Sequence, residues 1–211
     1  MIYLIGGSPR SGKTLLAKQL AKKMNIAWIS SDTLETIVSR YVPRNRYPKL
    51  FPKNILRERT RQSNDKMYTR YTALQISRAY ITQAKTVWPA IELFIVEETY
   101  NEHNFIIEGH HIHPRLVKRL MKKHQKLKSV FLGRENINEI VTSARTYSSP
   151  TDWFVTKTKD ERIYYKIAGM ISAYSSYFRK EAKKQNLTYI DMGKDFKECL
   201  SKATRLFTVI K

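Results

Sequence analysis

Apolar residues along the chain follow two alternating rhythms. Short runs, Met1 to Ile5, Ala27 to Asp32, Phe105 to Gly109, Ser129 to Arg134 and Leu187 to Met192, have the length and β-branched content of buried strands. Between them apolar residues recur every three or four positions, as in Leu16, Leu20 and Met24, then Leu34, Ile37, Val38 and Tyr41. Further helical sets are Leu116, Val117, Leu120 and Met121; Ile137, Ile140, Val141 and Ala144; Ile163 through Phe178; and Phe196 through Phe207. Strands alternating with helices predict an α/β fold, a parallel sheet with helices on both faces.

Two stretches break the rhythm. From Val42 to Asp65 three prolines (Pro43, Pro48, Pro52) alternate with cations and with Tyr47 and Phe51, which predicts an irregular basic insertion over 42–65 rather than a core element. Residues 146–158 lack a sustained period and predict a flap. Between the two, Met67, Tyr71, Leu74 and Ile81 predict a helix over Lys66 to Val87, and Pro89 either starts a new helix or kinks the old one. With no linker between two cores, the 211 residues predict a single domain over 1–211.

The first strand runs directly into Gly7-Ser8-Pro9-Arg10-Ser11-Gly12-Lys13-Thr14, the phosphate-loop pattern G-x-x-x-x-G-K-[ST] in its strand-loop-helix context. Gly7 and Gly12 let consecutive backbone N–H groups face an anion, Lys13 reaches the terminal phosphates, and the Thr14 hydroxyl is a ligand for Mg²⁺. The following helix adds its positive end. A nucleoside triphosphate, ATP by analogy, is the expected ligand, and a loop that binds nucleotide without catalysis is the plainer alternative.

Charge widens the choice of partners. Thirty-nine Lys and Arg against 18 Asp and Glu give a formal net charge of +21. Such a balance suits nucleic acid, a phosphorylated small substrate or a generally lysine-rich proteome, and most of the cations sit between apolar positions of helices, as on a solvated face. In the 42–65 insertion, aromatics among cations could grip unpaired nucleic acid, or the segment could grip a small acceptor, with Arg57 a candidate contact. A lone cysteine, Cys199, excludes an internal disulfide. No stretch has the apolar length of a membrane span and the N-terminus lacks a leader pattern, so a cytoplasmic chain with no membrane partner is expected. Oligomeric state leaves no mark.

Two predicted strands end in carboxylates. In open parallel sheets ligands lie beyond the carboxyl ends of the strands, which brings Asp32 and Glu108 toward the phosphate loop. Asp32 also suits a helix N-cap. After Glu108-Gly109 come His110, His111 and His113, three histidines in four positions. Imidazoles are common zinc ligands, but no cysteine or suitably spaced partner lies nearby in sequence, so hydrogen bonds from His110 and His111 to substrate or to Glu108 are the favoured reading.

With these residues in order, Gly7 to Thr14, Ser31-Asp32, the run from Ile107 to Pro114, and the strand-then-flap region from Val130 to Trp153, the chain resembles the P-loop kinases of the adenylate-kinase-like group. Within it the chain is most similar to the 2-phosphoglycerate-kinase-like and zeta-toxin-like small-molecule kinases. That resemblance implies a three-layer fold with a five-stranded parallel sheet of order 2-3-1-4-5, an acceptor-binding insertion after strand two and a lid after strand four. It implies that Asp32 is the carboxylate that receives or orients the acceptor hydroxyl, that Glu108 sits near the metal or acceptor, and that Arg134 and Arg145 are placed as lid arginines. The expected activity is Mg²⁺-dependent transfer of the ATP γ-phosphoryl group to a hydroxyl of a small metabolite, with or without a phosphate of its own. An RNA or polynucleotide kinase and a nucleotide-binding regulatory protein are the alternatives.

Overall fold

In the computed structural model, which describes residues 1–193 and 195–208, the strand of the phosphate-loop sequence lies at the centre. This strand, β1 (Ile2–Gly7), pairs in parallel with β3 (Phe105–Gly109) on one side and β4 (Leu127–Gly133) on the other. The edges are β2 (Ala27–Ser30) beside β3 and β5 (Tyr189–Asp191) beside β4, so the sheet runs 2-3-1-4-5, all parallel. The order and the sheet match the expected fold class.

Alternate residues of a strand face opposite sides of a sheet, and the core divides accordingly. Leu4, Ile107 and Phe131 point to one face, and Ile5, Ile106 and Val130 to the other. The second face is covered by α1 (Lys13–Met24) through Leu16 and Leu20 and by α11 (Phe196–Thr208) through Leu200 and Phe207. The first face carries the larger cluster. It is built from α2 (Ser31–Tyr41), then the short α3 (Tyr47–Leu50) and α4 (Pro52–Arg59), α5 (Asn64–Arg70) and α6 (Ala73–Tyr100), then α7 (Pro114–Met121), α8 (Ile137–Thr146), the single turn α9 (Trp153–Thr156) and α10 (Arg162–Lys184). Tyr174 and Phe178 of α10 are fully buried against it.

The 42–65 segment differs from the irregular loop that its prolines suggest. Pro48 and Pro52 stand in the first turns of α3 and α4, where a missing N–H costs nothing and the fixed φ favours helix. Phe51 between them is fully buried and stacks on Tyr47 at 4.9 Å between ring centroids. The expected helix over Lys66 to Val87 is also two helices. The chain is extended at Tyr71 and Thr72, and a capping box between Thr72 and Gln75 starts α6, which then runs through Pro89 to Tyr100. The second strand is shorter than its apolar run: Ser30 Oγ accepts the Asp32 N–H at 3.2 Å and caps α2, so Asp32 stands in the first turn of the helix, not at the strand end or the cap.

Candidate active site

Between β1 and α1 the backbone does what the glycine spacing demands. Gly12 takes φ 87, a left-handed conformation that costs glycine nothing, and α1 starts at the next residue. Lys13 is buried and its Nζ donates to the Ser8 carbonyl at 2.6 Å, while Ser11 Oγ donates to the same oxygen at 2.9 Å. The loop is held from outside as well: Ser175 of α10 donates from Oγ to Ser8 Oγ at 2.7 Å and accepts the Arg134 N–H at 2.9 Å. Thr14 Oγ1 donates to Glu108 Oε1 at 3.0 Å. Burial pushes the Glu108 carboxyl up, against the pull of Lys13 and of the Thr14 hydrogen bond. The Thr14 and Glu108 pair offers only hard oxygens, the donor set that suits Mg²⁺.

A cavity of about 640 Å³ opens beside this loop. Lys13, Thr14 and Glu108 form one end and Asp32, His110, Lys53 and Arg57 much of the other. Gly109 makes the close packing there possible, since at φ 144 any Cβ would fall 1.8 Å from Ser31 Oγ. His110 Nδ1 lies 3.2 Å from Asp32 Oδ1, and the other ring nitrogen, Nε2, is buried without a hydrogen-bond partner. Burial and the neighbouring His111 push the His110 imidazole down to about 3, so it is neutral at pH 7 and donates from Nδ1 to the carboxylate. Burial would raise the Asp32 carboxyl, but the His110 hydrogen bond, the imidazoles and Lys53 outweigh it and hold it well below the usual carboxylate range.

Behind these two groups lies a second row. His111 is fully buried, with Nδ1 2.8 Å from Ser31 Oγ and Nε2 2.7 Å from Glu35 Oε2. Lys53 Nζ donates to both Glu35 oxygens, at 2.9 and 2.6 Å, and Gln83 Nε2 donates to Glu35 Oε1 at 2.8 Å. Burial opposes ionisation of Glu35, but the His111 hydrogen bond and Lys53 bring it down to about 2.

Two residues of the 146–158 segment, Trp153 and Lys157, line the cavity. Asp152 caps α9 and forms an ion pair with Arg10 of the phosphate loop, whose guanidinium also donates to the Ser143 carbonyl at 3.2 Å and lies over the Phe154 ring. Buried Asn64 joins the insertion to the flap: its Nδ2 donates to the Trp153 carbonyl and to Thr158 Oγ1, each at 2.9 Å, and its N–H donates to the Lys157 carbonyl at 2.9 Å. Arg57 donates to Asn64 Oδ1 and sits 5.0 Å above the Trp153 ring.

Of the residues singled out from sequence, Pro9, Arg10, Lys13, Thr14, Asp32, Arg57, Glu108 and His110 share this one cavity. Gly7, Ser8, Ser11 and Gly12 form the loop beneath it, and His111 lies behind the wall, reaching the site through Glu35 and Ser31. Two arginines stand elsewhere. Arg134 follows β4, is buried and does not line the cavity, and Arg145 is half-exposed at the end of α8, paired with Glu161 at 2.8 Å. The cationic side chains at the cavity are instead Arg10, Lys13, Lys53, Arg57 and Lys157. Glu35 carried a usable signal in its three-residue spacing from Asp32, which puts both on one helix face. Gln83, Trp153 and Tyr80, the last also on the cavity wall, carried none.

Two solved structures share the arrangement of the chain. A gluconokinase from Sinorhizobium meliloti 1021 superposes with a TM-score of 0.52 at 13% identity, over 97% of this chain and 89% of its own. A sugar kinase from Janibacter sp. HTCC2649 gives a TM-score of 0.53 at 11% identity, over 98% of this chain and 93% of its own. The chain has the P-loop kinase fold. No protein-family model matches the sequence, and no curated protein matches it. At such low identity the likeness concerns the fold, and the chemistry rests on the side chains just described. No helix among the described residues is long and apolar enough to cross a membrane.

Proposed function

We propose that this protein is an ATP-dependent kinase that transfers the γ-phosphoryl group to a hydroxyl of a small molecule. The observation that carries the reading is the single cavity with the phosphate loop at one end and the ionised Asp32 carboxylate at the other. Phosphoryl transfer needs donor and acceptor held in line and the equatorial oxygens neutralised, with little covalent help from protein. Lys13 and the N-terminus of α1 bind the triphosphate, and Thr14 and Glu108 are the residues that would hold Mg²⁺, which supplies further charge neutralisation. Asp32 orients the acceptor hydroxyl and takes its proton, while the flap over residues 146–158 excludes water.

Within this reading the 42–65 segment is the acceptor-binding part, with Lys53 and Arg57 on the cavity wall. The motif resemblance to 2-phosphoglycerate-kinase-like and zeta-toxin-like kinases supports a small hydroxylated acceptor. The polynucleotide alternative loses part of its aromatic support, because Phe51 is fully buried and one face of Tyr47 is stacked on it. Purified protein given ATP, Mg²⁺ and a panel of hydroxylated metabolites should release ADP faster with one acceptor class than without. Acceptor-independent turnover across the panel, or turnover that survives Lys13→Ala, would refute the proposal.

A further inference from the structure

Around Asp32 the fold assembles what the histidine run lacked in sequence, a set of ligand partners. His110 Nδ1 and His111 Nδ1 both approach the same oxygen, Asp32 Oδ1, at 3.2 and 3.6 Å. Zinc-type ions bind imidazole nitrogen and carboxylate oxygen at about 2.0–2.2 Å in tetrahedral geometry. Ligand atoms at such distances are separated by roughly 3.3–3.5 Å along a tetrahedron edge, the range the two nitrogen-to-oxygen distances span. Glu35 brings a carboxylate oxygen into the same group, with all four ligand atoms within 4.8 Å of one another.

The hydrogen bonds around the imidazoles support a metal as well. Glu35 accepts from His111 Nε2, so the proton is on Nε2 and the Nδ1 lone pair accepts from Ser31 Oγ at 2.8 Å, with Asp32 Oδ1 beyond at 3.6 Å; an ion at Nδ1 takes the place of that rotatable hydroxyl. A carboxylate behind a histidine is the arrangement that orients metal-bound imidazole and raises its basicity. Lys53 and Gln83 fix Glu35 in that supporting role. His110 Nε2 is buried without any partner, although His110 is more than nine-tenths buried and lines the cavity. No protein group donates to Nε2, so the ring proton, which faces Asp32 from Nδ1, can move to Nε2 and leave the Nδ1 lone pair of the neutral imidazole to the ion.

We propose that Asp32, His110 and His111 bind one divalent transition-metal ion through Asp32 Oδ1 and the two Nδ1 atoms, with Glu35 supporting His111 and the fourth position open to the cavity. Two imidazoles favour zinc-like ions over Mg²⁺, so the site is chemically distinct from the Thr14 and Glu108 oxygens. The open position would take an oxygen of the molecule in the cavity, and Asp32 Oδ2 remains free of the metal. Ion binding stands independently of the kinase reading, since its test uses neither nucleotide nor acceptor.

The test is titration of the chelator-stripped full chain with Co²⁺, without nucleotide, read by visible d–d absorption, followed by Zn²⁺ competition. One Co²⁺ per chain with tetrahedral-type absorption is expected, displaced by Zn²⁺ and not by excess Mg²⁺. Asp32→Asn and His110→Asn should each abolish the band, and Glu35→Gln should weaken Co²⁺ about 10–100-fold. His103→Ala, which removes the exposed pair with Glu98, should change nothing. Absence of a stoichiometric band overturns the proposal, as does a band unaffected by Asp32→Asn in a variant whose circular dichroism and thermal midpoint match those of the parent chain.

Discussion

Arg10 in the phosphate loop and Asp152 at the start of α9 are ion-paired, each only 11% exposed, although 142 residues separate them. The pair ties the flap directly to the element that would receive the triphosphate. A partly desolvated charge left without its partner costs far more than a surface pair.

Asp152→Ala should therefore loosen the flap. Expected are a stability loss of about 3 kcal/mol in urea unfolding and faster proteolytic cleavage between Ser148 and Lys157. The double variant with Arg10→Ala should lose less than the sum of the single ones. Additive losses would show that the two charges are not coupled.

Lys13→Ala and Asp32→Asn separate the two ends of the cavity. The first should lower ADP formation at least about 10²-fold and weaken ATP binding. The second should leave ATP affinity unchanged and lower acceptor-stimulated kcat by about 10²–10⁴-fold. An Asp32→Asn enzyme with full acceptor-stimulated activity would remove Asp32 from the chemistry, and a parent protein that binds ATP with no acceptor-stimulated turnover would favour a nucleotide-binding protein without transfer chemistry.

Asn64→Ala removes a buried amide that serves the Trp153 carbonyl, Thr158 Oγ1 and the Arg57 guanidinium at once. Leaving such groups unsatisfied costs about 1–3 kcal/mol. Thermal unfolding should register that loss, and hydrogen exchange should rise in both α9 and the α4–α5 connection. A rise confined to one side would mean that the insertion and the flap move independently.

Phe51→Ala tests whether the proline-punctuated segment is core. A buried aromatic truncated to alanine costs about 3–5 kcal/mol, whereas a surface-loop aromatic costs almost nothing. The measurement is the urea midpoint at constant slope.

Much of this was written in the order of residues. The alternation of five apolar runs with helical periods determined a parallel sheet, and Gly7 to Thr14 determined which strand would carry the loop, because those signals are local and the periods of strand and helix differ. Carboxylates after the second strand and at the end of the third were legible for the same reason: sheet topology directs those ends to one crevice. Pro48 and Pro52 misled, since proline in a helix's first turn and proline in a loop look alike until neighbouring packing is known.

Tertiary structure alone decided the partnerships: Arg10 with Asp152, Asn64 with the flap, and His111 with Glu35. It also left Arg134 and Arg145 off the cavity wall and put Arg10, Lys53 and Lys157 there. Each pairing joins residues dozens of positions apart, and which one forms depends on how helices pack across the sheet, a long-range balance of burial and hydrogen bonding that no local period encodes.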